Sequence, residues 1–270
     1  MSRGCGVGSK LAEPLTDPPG QARHLVWLMA GLVMALLVLP VATVAQDAAA
    51  DELPAPGTLL EPGRYRSSAA GPSIEFRVEE GWISTGPTDG PVFMLGRAGQ
   101  PGTVLTVTRF DGVAFVESCD PTSMTDVDVS VSRLIEIIAG NPFLNPAPPE
   151  LADIDGNLGL RLDVATPEFE DCALPYLLLW ALPMQDGEFV QVAGQQSRFI
   201  VVDVDGDVIV IAIESLPGVP FGSLLDASMQ IVDSMRITPA DLEAPSPQPA
   251  GSEPPASPAP VAPAGDDSSS

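Results

Sequence analysis

The chain has 270 residues and carries 36 acidic against 12 basic side chains, a formal net charge of −24 at pH 7. This surplus would repel a polyanion, so the composition excludes nucleic acid as a partner and disfavours anionic lipid headgroups. One histidine and three cysteines leave few side chains for nucleophilic catalysis or for a zinc site.

The apolar run at residues 25–45 contains no charged side chain and predicts a transmembrane helix. At about 1.5 Å per residue, a helix of this length crosses a hydrocarbon layer of roughly 30 Å. Basic side chains lie before the run, at Arg3, Lys10 and Arg23, and none lies directly after it. The positive-inside rule therefore predicts a cytoplasmic stub at 1–24, an anchor in the cytoplasmic membrane, and an extracytoplasmic remainder.

Small residues after the apolar run leave a second interpretation open, in which the run is a signal peptide that is removed. Cleavage near Ala45 or Ala50 would release the rest of the chain as a secreted protein. The long segment before the run and the length of the run itself favour a retained, single-pass signal anchor. Residues 46–57, which are acidic and contain proline, are predicted to be a linker.

Residues 58–238 have the patterns of one α+β domain with a mainly antiparallel sheet. Apolar and charged side chains alternate at 73–80, which predicts a half-buried strand, and Trp82 is predicted to be a core aromatic. The clearest hairpin joins strands at 199–204 and 208–213 through Asp-Gly, the preferred dipeptide of a type I′ turn. The other predicted strands lie at 63–67, 91–98, 102–110, 158–165 (with Leu158, Leu160, Leu162 and Val164 inward), 176–182 and 188–193.

Two amphipathic helices are predicted to pack on this sheet. Apolar residues at helical spacing from Val127 to Ile138 predict the first helix, with Thr125 or Asp126 as its cap and Gly140 at its end. The second helix is predicted at 221–235. The tail at 239–270 is rich in proline, alanine and serine and has no aromatic residue, so it is predicted to be disordered.

Cys119 and Cys172 both lie in the predicted extracytoplasmic domain, where disulfides persist, and we expect them to form one. A closed zinc site needs about four ligands, and this region contains no histidine. The disulfide is therefore favoured over a metal site, and no cofactor is predicted.

A pattern of the form D-x-D-G-[DN] occurs twice, at 153–157 and at 203–207. Calcium prefers several oxygen ligands close together, but the known calcium loop has glycine at its sixth position and glutamate at its twelfth. Asp-Gly hairpin turns explain the same letters. The sequence favours turns and keeps calcium as an alternative, with these candidate ligands: Asp153, Asp155, Asp203, Asp205 and Asp207.

Enzymatic residues are sparse in the predicted domain. The histidine, His24, precedes the apolar run, so no Ser-His-Asp or Cys-His set is available outside the membrane. Acidic pairs suited to glycoside hydrolysis exist at 79–80 and 168–171, but solvated loop acids are the commoner explanation. The leading hypothesis is therefore a non-enzymatic binding or interaction module with a protein or small-molecule partner. The alternative is a secreted hydrolase, or a calcium-dependent protein that uses its acidic loops.

The segment from Pro62 to Tyr65, the strand Ile74 to Val78 and the pair Gly81-Trp82 resemble the opening of a recurrent bacterial extracytoplasmic module. The hairpin at 201–215 and the helix at 223–235 resemble its end. That module is similar in layout to the PsbP/Mog1-like α/β/α sandwich. The resemblance implies an antiparallel sheet with helices on both faces and an extracytoplasmic location, and it implies no functional residue.

Overall fold

A computed structural model describes residues 49–87, 91–170, 172, 174–182, 184 and 187–240. The predicted stub at 1–24, the predicted anchor at 25–45 and the predicted tail from residue 241 onwards lie outside these residues. Neither helix in the described part of the chain has the length and apolarity that a membrane span requires. The described residues form mostly antiparallel sheets with two helices, which confirms the predicted α+β class.

The helices of the described residues are α1 (Val131–Ala139) and α2 (Phe221–Asp233). The strands, in chain order, are β1 (Asp51–Glu52), β2 (Leu59–Leu60), β3 (Gly63–Ser67), β4 (Ser73–Val78), β5 (Trp82–Ser84), β6 (Val92–Arg97), β7 (Gln100–Arg109), β8 (Val113–Phe115), β9 (Met124–Asp126), β10 (Asn145–Pro146), β11 (Glu150–Ile154), β12 (Asn157–Ala165), β13 (Tyr176–Ala181), β14 (Glu188–Val192), β15 (Gln196–Val204), β16 (Asp207–Ser215) and β17 (Arg236–Thr238).

A nine-stranded central sheet has the order β10-β12-β15-β16-β7-β6-β5-β2, with β11 paired to β12. The hairpin of β15 and β16 lies in its middle and pairs Val204 with Asp207 across a two-residue turn. Asp205 and Gly206 have φ angles of 52° and 96°, and a type I′ turn requires positive values at both positions. The predicted Asp-Gly hairpin is therefore confirmed.

Each face of the central sheet packs into its own apolar core. Alternate residues of β15 point to opposite faces, so Ile200 and Val202 enter the first core while Phe199 and Val201 enter the second. The first core is closed by α2 and by a first side sheet of order β1-β3-β4-β17. The second core is closed by α1 and by a second side sheet of order β14-β13-β8-β9. Burial on both faces explains why β16 is an almost continuous apolar run.

Aromatic rings fill both cores. Trp82 is buried in the first core, as predicted. In the second core Trp180 stacks on Phe189 with ring centroids 4.0 Å apart, and both rings meet the edge of Phe199 at 5.7 Å. Stacked and edge-on pairs of this kind add to the stability that buried area provides. Aromatic packing on both faces of the central sheet thus holds the side sheets against it.

The first helix begins later than predicted. Ser130 is its N-cap, since its Oγ accepts a hydrogen bond of 3.2 Å from the backbone N–H of Arg133. Thr125 and Asp126 belong to β9, whose backbone groups pair with β8, so neither residue can cap a helix. The predicted cap was therefore wrong, because the pairing of β9 with a distant segment decides the structure there. The predicted end at Gly140 is confirmed.

Two other expectations need correction. Leu158, predicted to face inward, is 72% exposed, because it lies at the hairpin end of β12 and belongs to neither core. Leu162 and Val164, further along the same strand, are buried as predicted. The predicted linker at 46–57 contains β1, which pairs in parallel with β3, so ordered sheet structure begins before residue 58.

Candidate functional site

The second face of the central sheet is left uncovered near the edge strand β14, and an apolar groove opens there. Strands β5, β6 and β7 form its floor, and the last residues of β16 lie at its inner end. Its volume is about 580 Å³. The larger apolar side chains of its lining are Ile83, Met94, Val104, Val190, Val192 and Leu216. We refer to this feature as the groove.

Glu214 is the buried polar group at the inner end of the groove. It is the second-last residue of β16 and pairs with Ser197 on one side and Val104 on the other. The period of two places it on the same face as Val210 and Ala212, which belong to the second core. Its side chain therefore points toward the second side sheet, and it is only 8% exposed.

Two glutamine side chains hold one oxygen of this carboxyl. Glu214 Oε1 accepts hydrogen bonds from Gln191 Nε2 at 2.7 Å and from Gln195 Nε2 at 2.6 Å. Gln191 Oε1 in turn accepts from the hydroxyls of Ser197 at 2.9 Å and Thr166 at 3.3 Å. Since these hydroxyls hold the Gln191 carbonyl, its amide N–H group faces Glu214. All five side chains are buried.

Gln195 is oriented in the same way. Its Oε1 accepts a hydrogen bond of 3.0 Å from the backbone N–H of Val192, which turns its amide nitrogen toward Glu214. The other carboxyl oxygen, Glu214 Oε2, has no hydrogen-bond partner among the described residues. One oxygen of Glu214 is thus saturated by fixed donors, while the other keeps its full hydrogen-bonding capacity.

Burial raises the pKa of Glu214 to about 8, and the hydrogen bonds from Gln191 and Gln195 oppose only part of that rise. A carboxyl with this pKa carries its proton through most of the neutral range. Because Oε1 already accepts two N–H groups, the proton belongs on Oε2. The groove therefore presents a neutral O–H donor at its inner end.

The candidate calcium ligands are engaged in turns. Asp153 Oδ1 and Asp203 Oδ1 each accept the backbone N–H of the turn glycine, at 2.8 and 3.0 Å. Asp155 and Asp205 have positive φ and form the first turn position. Asp155 Oδ2 also accepts the backbone N–H of Ile237 at 2.9 Å. Both hairpin turns are confirmed.

The remaining sequence-predicted residues fall elsewhere. The hydrogen bond that Arg109 donates to Asp111 is the main cause of the raised pKa of the Arg109 guanidinium, and the negative charge of Asp207 adds to that rise. Across the described ranges, no group of three or more acidic, histidine or cysteine side chains is placed to hold a metal. The acids at 79–80, 168 and 170 are exposed, and residue 171 lies outside the described residues.

The disulfide between Cys119 and Cys172 is present, with 5.0 Å between the Cα atoms. It joins the segment after β8 to the segment before β13, and both cysteines pack against the second core. The bridge therefore fastens the second side sheet, whose edge strand β14 forms one side of the groove.

Sequence reasoning missed Glu214 and its glutamines. The predicted strand ends at residue 213, and Glu214 lies directly after it. The available signal was that Glu214, a charged residue, follows an apolar strand at the same alternation as Val210 and Ala212, which point inward. The two glutamines carried no such signal, because only the fold brings Gln191 of β14, and Gln195 of the turn after it, against β16.

No family model matches this chain, and a comparison with curated proteins finds no match. Solved structures that resemble it include LpqN, "involved in cell envelope biogenesis of Mycobacterium tuberculosis", with 14% identity over 63% of this chain and 86% of LpqN, at a TM-score of 0.36. Another is the cyanobacterial PsbP protein CyanoP of Synechocystis sp. PCC 6803, with 12% identity over 68% and 97% and a TM-score of 0.35.

A third structure, from Bacteroides thetaiotaomicron VPI-5482, is 7% identical and has a TM-score of 0.33. The match covers 61% of this chain but only 44% of the Bacteroides protein, so the chain spans less than half of that protein's length. At these identities and TM-scores the likeness is a weak one at the level of the fold.

Proposed function

We propose that this chain is a non-enzymatic binding module that acts outside the cytoplasm, tethered to the outer face of the cytoplasmic membrane by residues 25–45. In this proposal the groove is the ligand site. The observation that carries it is a groove of about 580 Å³ on a sheet whose two faces are otherwise packed. Volumes of this size are typical of sites that bind small molecules.

The chemistry of the lining supports binding over catalysis. Glu214 and Arg97 are the titratable side chains among the described residues that line the groove. Hydrolysis of glycosides ordinarily needs two carboxyl groups that flank the scissile bond, and the groove supplies one. A mostly apolar lining with few polar groups is instead the usual composition of a ligand pocket.

The binding proposal can be tested with a neutral fluorescent probe, N-phenyl-1-naphthylamine. The purified domain is expected to enhance its fluorescence, and Val190→Trp, which adds a large ring to the groove lining, is expected to abolish most of that enhancement. Val129→Trp is the matched control, because Val129 is 49% exposed and does not line the groove. Equal enhancement by both variants would contradict the assignment of the groove as the ligand site.

The tether is tested separately by the intact mass of the non-reduced protein from its native host. A full-length mass, lowered by the two hydrogens lost to one disulfide, supports retention of residues 25–45. A mass that begins after Ala45 or Ala50 would contradict the anchor and indicate a secreted binding module. Because this measurement does not depend on the groove, the two parts of the proposal stand or fall independently.

A further inference from the structure

We propose that the groove binds a neutral amphiphile, whose aliphatic chain lies along the apolar lining and whose uncharged ester or amide head accepts a hydrogen bond from the Glu214 carboxyl. This ligand class rests on the binding function proposed above and makes it specific. The juxtaposition that supports it is an apolar groove that ends at a buried carboxyl, one oxygen of which has no hydrogen-bond partner among the described residues.

The hydrogen-bond geometry sets which partner Glu214 can take. Oε1 accepts from two amide groups whose own orientations are fixed, through Ser197 and Thr166 for Gln191 and through the Val192 backbone for Gln195. Oε2 has no hydrogen bond among the described residues. Because Oε2 is accessible and has no partner in the described part of the chain, a ligand atom in the groove can form the hydrogen bond that is missing there.

The surroundings favour the protonated carboxyl, which makes Oε2 a donor. Burial raises the pKa of Glu214 to about 8. Arg97 is the other titratable side chain in the lining, and its guanidinium is engaged with residues outside the groove lining. Its NH1 donates to the Glu80 carbonyl at 3.2 Å, and its guanidinium carbon lies 5.1 Å from the Trp82 ring centroid. A neutral donor needs an acceptor, which an ester or amide carbonyl supplies.

Charged groups on the elements packed around Glu214 do not alter this conclusion. Glu188 of β14 is exposed and does not line the groove. Arg198 of β15 forms a bidentate pair with Asp163 at 2.6 and 2.7 Å. That pair lies on the opposite face of the central sheet, because Arg198 alternates with Ser197. Within the described lining, no acid competes with Glu214 for its proton.

The charge of the whole chain argues against an anionic head, because a formal net charge of −24 repels one. A cationic head would need ionised Glu214, and desolvation disfavours that form. The groove volume suits a small molecule rather than a macromolecule. Together these constraints leave an uncharged, acceptor-bearing head on an aliphatic chain.

The test compares three ten-carbon amphiphiles below their critical micelle concentrations: 1-monodecanoylglycerol, decylamine and decanoate. Binding is measured by isothermal titration at pH 6.5 and pH 9 for the native domain, Glu214→Gln and Val190→Trp. The native domain is expected to prefer monodecanoylglycerol, with affinity about tenfold weaker at pH 9 because the carboxyl has then lost its proton. Circular dichroism confirms that each variant is folded.

Glu214→Gln gives the sharpest result, because its amide oxygen can accept from both glutamines while its N–H group replaces the O–H donor. It is expected to keep monodecanoylglycerol binding and to lose the pH dependence, with affinities at the two pH values within about threefold. Preferential binding of decylamine that strengthens at pH 9 would overturn the proposal and indicate a cation site.

Two further outcomes separate this proposal from the one it rests on. Native binding of monodecanoylglycerol that is equal at both pH values, yet lost in Val190→Trp, would overturn the role of Glu214 and leave the groove as the ligand site. Binding of all three amphiphiles that Val190→Trp does not weaken would overturn both.

Discussion

Replacing Glu214 with glutamine should remove a large part of the pH dependence of stability between pH 5 and pH 8. In the folded protein the pKa of Glu214 is about 8, raised by burial from its ordinary value of 4.5. Between these values the folded state holds a proton that the unfolded state has lost. The contribution of this group to stability is therefore fully present below about pH 4.5 and is lost as the pH rises through the folded pKa.

The size of the effect follows from the width of that interval. The pKa rises from 4.5 to about 8, a difference of about 3.5, and each unit corresponds to about 1.4 kcal/mol. The free energy of unfolding should therefore fall by roughly 5 kcal/mol from this group alone across the interval. That is a large share of the ~5–15 kcal/mol by which domains are stable.

Urea unfolding at pH 5, 6, 7 and 8, run on the native domain and on Glu214→Gln, measures this term directly. The other carboxyl groups are common to both proteins, so their titration cancels in the difference. In the middle of this pH range the advantage of the variant should grow by about 1.4 kcal/mol per pH unit. Glu168→Gln, at an exposed position, is the matched control and should show no such growth. A constant difference for Glu214→Gln would refute the neutral carboxyl.

Three further predictions concern the scaffold, and urea unfolding measures each. Cys119→Ser should lower the free energy of unfolding by about 4 kcal/mol, because the disulfide constrains a long loop of the unfolded chain; no change would mean that the bridge is absent in solution. Gly206→Ala should lower the free energy of unfolding by about 1 kcal/mol, because Gly206 has a φ of 96°. Gly222→Ala in α2 should raise it by about 0.5–1 kcal/mol, because a Cβ there meets open space. A change of the same sign in both variants would contradict the turn assignment. A double-mutant cycle on Arg198 and Asp163 should give a coupling of about 1 kcal/mol that weakens with salt, because the pair is partly exposed; salt-independent coupling would contradict this.

The parts of the fold that the sequence predicts well are those decided by neighbouring residues. The hairpin of β15 and β16 depends on Asp205 and Gly206, whose positive φ angles follow from their own chemistry. The start of α1 could not be predicted in the same way, because Ser130 and Asp126 are equally good N-cap residues by type. Asp126 cannot be the cap because it lies in β9, which pairs with β8. Such pairing depends on the tertiary fold and cannot be read from local sequence patterns.

The candidate site was beyond sequence reasoning for the same reason. Glu214 and Ser197 are neighbours through the hairpin register, which could be predicted. Gln191 reaches Glu214 only because β14, which belongs to a different sheet, packs over β16. Thr166, which holds Gln191, directly follows the end of β12. The sequence shows a carboxylate in an apolar strand, while its burial and its partners come from the assembly of two sheets.

The position of Glu214 argues for a role beyond the fold. An apolar residue there would continue the pattern of Val210 and Ala212 and would carry no desolvation cost. The chain instead places four buried polar side chains around this carboxyl. Two of them donate to one carboxyl oxygen, and the other oxygen has no partner among the described residues. Departures from apolar packing with a strongly raised pKa concentrate at functional sites, and this one lies where the second core opens into the groove.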